Sequence, residues 1–456
     1  MFRKLSENNS ILSNSRVMFF AIVGLMACLL VDTTFIKLYD VVSKNFLSIE
    51  SKTIIFSLTV SIGLLLLLIA LQYASNLMKK NQVGSTISFR SYSKFVQISY
   101  YWLIFLVSSL IFELFYLGYY DSIVLMLIII TTYGVATVLI GKISLLFMSW
   151  YRTSHDFTIF MYFISMSLIV FNLVMTSLIV NINLSDRPER LREFAGGSMD
   201  LSAGKYDFLA FLHRISTVVS FLSIWLTTSL LTFSSRDRLR KQIRYWVMPI
   251  MLLVYFLVSY FAQSILNPIL APLLYQDPIL VSLSLILVFS LIKPVGGIMF
   301  GIAFWNISRT VRYEKTLRDY MVISGYGFLL LFSANQSTSL VLGPYPPFGI
   351  ATISILIVGA YLIMIGIYNS ATLVSTNIDL RKSIQKIARE SKLLQLIGKA
   401  EMEKEMDKTV TKIMEQTGES EDSMKSHYDL DEQEIKIYLE EALEELKKNK
   451  DKNSDG

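Results

Sequence analysis

The chain reads as an all-α integral membrane protein of about ten transmembrane helices, with both termini cytoplasmic and an amphipathic helical tail after the last span. Three observations lead there. Of 456 residues, 53% are hydrophobic and only 17% charged, against about 25% charged in soluble domains, so the charges are too few to cover a water-facing surface. The apolar residues fall in runs of roughly 20, the length a helix needs to cross about 30 Å of hydrocarbon. Lys and Arg are abundant in alternate connections and sparse in those between, the asymmetry that orients membrane proteins.

In chain order the runs cover 17–37, 53–74, 98–119, 122–147, 157–181, 208–233, 246–267, 279–305, 320–342 and 348–374. The third and fourth are parted only by Gly118, Tyr119, Tyr120 and Asp121, which predicts a tight turn, because 98–147 is far too long for one crossing. The N-terminal segment and the connections after spans two, four, six and eight hold 17 Lys and Arg, against seven in the remaining connections. Placing the richer side in the cytoplasm puts both ends inside and requires an even number of spans. Leu25-Met26-Ala27-Cys28 faintly resembles a lipoprotein cleavage box, but the chain stays apolar through Val31, so the first helix is expected to stay uncleaved. Tyr100-Tyr101-Trp102, Trp150-Tyr151, Tyr245-Trp246 and Trp305 mark the inner boundaries as interfacial anchors.

Three regions follow. Residues 1–375 form the membrane domain. In 376–418, Leu380, Ile384, Ile387, Leu394, Ile397, Met406, Val410 and Ile413 recur at helical steps, as in a juxtamembrane amphipathic helix or short coiled coil, with Ser391 and Gly398 weakening the seam. Residues 419–456 are an acidic, helical to disordered tail; from Glu419 to Gly456 there are 13 acids and six bases. The net charge of +6 therefore averages a basic body and an acidic tail, and needs no nucleic-acid partner.

Catalysis is not expected. No phosphate-binding loop, nucleophile elbow, zinc-protease helix or kinase signature is present. One cysteine, Cys28, excludes multi-cysteine metal sites, and His155, His213 and His427 are too far apart in sequence to form one cluster, so no metal or other cofactor is implied. What remains are polar residues inside spans, which are costly there and usually face a cavity or a partner. From the helix rise, Asp32, Glu113, Asn172, Gln263, Asn335 and Gln336 all lie about 22–25 Å from the cytoplasmic side, in one outer layer. They are the candidate ligand-binding set, with Asp32 and Glu113 as acids and the amides as orienting groups. Packing or headgroup contact is the plainer alternative. Lys293, followed by Pro294, Gly296 and Gly297, is the gating or transport candidate, because broken helices with a buried cation occur in ion-coupled transporters. Its plainer reading is a snorkelling lysine beside a glycine packing face. Asn183 begins an N-x-[ST] sequon on the outer side and is a glycosylation candidate. The turn Pro344-Tyr345-Pro346-Pro347-Phe348-Gly349 is expected to be a rigid hairpin cap between spans nine and ten.

Ser324-Gly325-Tyr326-Gly327, the proline-rich turn, Gly366-Ile367-Tyr368-Asn369-Ser370-Ala371 and Leu380-Arg381-Lys382 together resemble a group of uncharacterised polytopic membrane proteins of ammonia-oxidising archaea. The resemblance covers the last three spans and implies a prokaryotic cytoplasmic membrane, with no activity and no functional residues. Three roles fit the sequence. A receptor-like or signalling component is favoured, with an outward polar site and a cytoplasmic helical relay. A secondary transporter for an ion or small solute is the alternative, and a structural or assembly subunit the third. The expected partners are the lipid bilayer and a cytoplasmic protein, or a second copy, at residues 376–418.

Overall fold

The computed structural model describes residues 15–42, 48–81, 87–185, 190–191, 207–233, 250, 253–254, 297–309, 311, 314–334, 346–377, 380–381, 384 and 392–417. In chain order the helices are α1 (Ser15–Val42), α2 (Ile49–Asn81), α3 (Ile87–Tyr116), α4 (Ser122–Ser154), α5 (Phe157–Ser185), α6 (Asp207–Phe233), α7 (297–309), α8 (Lys315–Ala334), α9 (Ile350–Thr376) and α10 (Lys392–Thr417). Seven of them, α1 to α6 and α9, are long and apolar enough to cross a membrane. They match the first six and the tenth apolar runs. Of the three runs between, the seventh lies almost wholly outside the described residues. The eighth and ninth are represented by α7 and α8.

Several helices outrun their apolar stretch. Hydropathy falls off where water begins, whereas the backbone ladder continues until something caps it. Thus α2 runs on to Asn81 and α4 to Ser154, where His155 takes a left-handed conformation (φ 49°) and donates its N–H to the Tyr151 carbonyl at 2.8 Å. Asp156 then accepts the Thr158 N–H at 2.7 Å and starts α5. The expected tight turn between spans three and four is present. Its Tyr120–Asp121 strand, β1, pairs antiparallel with Arg190–Leu191, β2, from the connection after α5. Two connections read from the charge pattern as lying on one side of the membrane are thus joined by backbone pairing.

The side-chain distribution is the reverse of a soluble bundle. Outward faces of α1 to α4 and α6 carry Phe20, Leu65, Ile98, Phe105, Leu145 and Phe208, each more than half exposed, as helices that face hydrocarbon do. Hydroxyls turn inward: Thr132, Ser165, Thr227, Ser324, Ser333, Thr352, Ser354 and Ser370 are buried. Many donate to a carbonyl one turn back, as Thr132 does to Ile128 at 2.7 Å and Ser354 to Ile350 at 2.7 Å, which removes the cost of a free hydroxyl in an apolar medium.

At the centre stands α9. Every residue of its apolar window is buried, whereas no more than half of the corresponding window is buried in any other candidate span. It packs against α8, α4, α2, α1 and α3. Its contact with α8 is close, with Gly327 of α8 and Gly359 of α9 facing each other. Small residues permit this because, between helices in lipid, association depends on contact area rather than on water exclusion.

The chain divides into two units, 1–402 and 403–456. The second is described over 403–417, which is helical.

Candidate functional site

Gly349 precedes α9 with φ 111°, a conformation that suits glycine and leaves the helix without a capping side chain of its own. Asp32 of α1 supplies the missing oxygens. Its Oδ1 accepts the Gly349 N–H at 2.8 Å, while Oδ2 accepts both the Thr352 N–H at 2.9 Å and the Thr352 hydroxyl at 2.8 Å. Thr352 is the third helical residue, whose N–H an N-cap side chain normally takes, and the Gly349 N–H is the one a capping-box glutamate takes. One carboxylate from a distant helix does both jobs, at the positive end of the helix dipole. Asp32 is fully buried. Both its oxygens face the protein's own donors.

The turn before α9 is driven into the bundle rather than framing an opening. Phe348 stacks on Phe35 at 4.9 Å and meets Phe56 edge-on at 5.5 Å, and the stretch 346–350 is buried throughout.

Glu113 is also engaged locally. Its Oε2 accepts the Asp121 N–H at 2.9 Å, so it fixes the turn that starts α4, a helix whose N-cap residue makes no capping bond of its own. Asn172 lies elsewhere again, in a polar seam between α5 and α6, where its Nδ2 donates to Ser216 at 3.0 Å and Thr217 at 2.9 Å. In the same seam Thr176 meets His213 Nε2 at 3.1 Å, and Ser165 meets Thr227 at 2.8 Å and Ser223 at 3.0 Å. Asp32, Glu113 and Asn172, the described members of the expected outer layer, therefore make three separate contacts. Depth along a helix is legible from the sequence; direction around it is not. Gln263, Asn335 and Gln336 lie outside the described residues, as do Lys293, Pro294 and Gly296.

Gly297 has a packing role. A Cβ there would stand 2.5 Å from the Leu329 carbonyl oxygen of α8, and one on Gly301 would stand 2.9 Å from that of Gly325. Gly325 in turn lies against the Trp305 indole, whose N–H donates to the Val322 carbonyl at 3.3 Å. Asn183 is in the last turn of α5, with its Nδ2 buried and without a hydrogen-bond partner.

The other end of α9 is held by the helix that follows. Leu393, Leu394, Ile397 and Ala400 of α10 are buried, and Glu401 accepts the Trp150 indole N–H at 2.5 Å from the end of α4. Gly398 sits against Val374, and a Cβ there would collide with the valine side chain. The glycine that weakens a coiled-coil seam is the point at which α10 closes onto the last span. Among the described residues, the 392–402 stretch is a docked element of the membrane domain.

Two grooves open on the surface. One, of about 390 Å³, is lined by Arg16, Tyr73, Arg318, Asp319 and Tyr326 among others, with Arg318 and Asp319 3.8 Å apart. The other, of about 470 Å³, lies between α4 and α5 and contains Lys142, which the surrounding apolar run hides from a search for charge-bounded segments. The chain matches no known family model, no curated protein and no solved structure.

Proposed function

We propose that this chain is a receptor-like or signalling component of the cell membrane, in which α9 relays a shift between its outer cap and the docked helix on the cytoplasmic side. The observation that carries the reading is the clamping at both ends of the one candidate span whose apolar window is wholly buried: Asp32 holds its first turn and α10 closes on Val374 near its last. A packed helix of this kind moves between discrete positions rather than bending continuously, so a displacement at one end reaches the other.

The proposed topology is ten spans with both termini cytoplasmic. Asp32 lies near the C-terminal end of the first span and meets the N-terminus of the last, which supports opposite senses for the two and hence an even total. Seven candidate spans are described, and the proposal assigns the other three to 234–349 on the strength of the apolar runs there. The pairing of β1 with β2 on one side and the Trp150–Glu401 contact on the other fit the same alternation.

The test is hydrogen exchange in the full chain, reconstituted in liposomes. With Asp32→Asn the amides of 392–402 are expected to exchange about tenfold faster, without solute flux; unchanged exchange there refutes the relay.

A secondary transporter is the second reading, and the α5–α6 seam favours it, because an imidazole and an amide inside a span are features of proton and solute paths. Proton-coupled uptake lost on His213→Ala, with folding intact, would establish it over the relay.

A further inference from the structure

Lys142 stands in the middle of an otherwise apolar helix and is exposed, although a lysine in hydrocarbon is costly. Its depth removes the difficulty. From Ser122, the other end of α4, to Lys142 is 20 residues, or about 30 Å of helix, close to the full hydrocarbon thickness. From Ser185 back to Ser167 on α5 is about 27 Å. Tyr92 lies one residue inside the end of its candidate span, Ser91–Tyr116. Lys142 lies five residues, about 7.5 Å, inside the inner end of the 122–147 run, within snorkelling reach of the headgroups, with Tyr92 and Ser167 beside it on the side of the α4–α5 turn.

There they line one groove of about 470 Å³, within the range of about 300–1,000 Å³ usual for ligand pockets. The Lys142 ammonium is held 5.8 Å from the centre of the Tyr92 ring, a cation–π distance that keeps it at the groove rather than extended along the helix. Ser144 and Ser167 share a hydrogen bond of 2.7 Å in the polar part of the groove wall. The lining is apolar on both sides of this polar level, with Val138 and Val170 one turn toward the bilayer centre and Leu145 and Phe163 one turn toward the α4–α5 turn, and Val138 is half exposed. Among the described residues, Lys142 is the only charged side chain that lines the groove.

We propose that this groove binds one anionic phospholipid of the adjoining leaflet, with its phosphate on Lys142 and an acyl chain along Val138 and Val170. Below the cation, Val138 and Val170 supply the apolar wall that an acyl chain needs, and a lysine ammonium that can reach toward the headgroups supplies the counter-charge for a phosphate. Net negative lipids are preferred, because a choline group would bring a second cation beside the ammonium. The inference is independent of which side is the cytoplasm and of the relay.

Native mass spectrometry of the full chain in detergent tests it, by titration with phosphatidylglycerol or phosphatidylcholine of identical chains and scoring of the first, tightest-bound lipid. Wild type is expected to prefer phosphatidylglycerol by about fivefold, the size of one exposed charge–charge interaction, because the phosphate contact is common to both lipids and only the choline cation distinguishes them. Lys142→Ala should abolish that preference and Lys142→Arg retain most of it, while Val138→Trp should weaken binding of both lipids by filling the chain path. Since both positions are exposed, these variants should keep the wild-type melting temperature. Equal binding of the two lipids by wild type, or full phosphatidylglycerol binding by Lys142→Ala or Val138→Trp, overturns the proposal. Displacement of the lipid by millimolar glycerol 3-phosphate also overturns it, because the site would then be one for a soluble anion.

Discussion

Replacing Asp32 by alanine withdraws one acceptor pair from three donors: two backbone N–H groups and the Thr352 hydroxyl. The hydroxyl can rotate toward the carbonyl of the N-cap residue Gly349, three residues back. The two N–H groups have no such route, and a buried donor left unsatisfied costs about 1–3 kcal/mol. Allowing for water reaching the site from the nearby headgroups, Asp32→Ala is expected to destabilise the protein by about 3 kcal/mol. Asparagine keeps one acceptor oxygen but points an NH2 at a donor, so Asp32→Asn should lose about half as much, roughly 1.5 kcal/mol. Thr352→Val removes only the hydroxyl, for about 1 kcal/mol, and combined with Asp32→Ala should add little, since the contact is already gone. Equilibrium unfolding in mixed micelles with increasing SDS reads all four. An Asp32→Ala protein within about 0.5 kcal/mol of wild type, the usual span of surface substitutions, refutes the capping role. Retained stability with lost ligand binding would return Asp32 to the outward site expected from its depth.

Other outcomes follow from the same contacts. Gly398→Leu should drive α10 off Val374, with faster proteolysis after 391 and partial rescue by Val374→Ala. Trp150→Phe keeps most of the ring packing but removes one donor to Glu401, and should cost about 1–3 kcal/mol in the same unfolding assay, as for a hydrogen bond to a charged group. Asn172→Leu should cost only about 0.6–2 kcal/mol, the range for hydrogen bonds between membrane helices, and any larger loss would mark the α5–α6 seam as more than adhesive. Gly301→Leu should be the most disruptive of these, because the neighbour is the Gly325 carbonyl rather than a movable side chain.

Span positions were legible because length and charge asymmetry are one-dimensional signals: the six leading helices and the last lie where the apolar runs put them. The turn at 118–121 was legible for the same reason. The partners of the polar residues were not. Asp32 and Thr352 are separated by 320 residues, and no local pattern links them. Gly349 gave the nearest hint, since a helix starting after a glycine lacks a capping oxygen that something must provide. Gly398 was misleading for a related reason: read along its own helix a glycine is a defect, and only the neighbouring Val374 makes it a fit. Lys142 is hidden in the sequence because a single charge does not interrupt a long apolar average, and only its neighbours on α3 and α5 show the groove it lines.

The cap on α9 also bears on how the protein is made. Asp32 emerges with the first span, and its donors come 317 residues later with Gly349. At about 5–20 residues per second, that interval lasts on the order of 15–60 s. Throughout it, the carboxylate has neither of the backbone donors that it faces in the finished protein. Arrival of the last span supplies both and locks the first. A chain cut short before residue 349 keeps an uncovered acid in its first helix, a mark by which membrane quality control can tell an unfinished copy from a finished one.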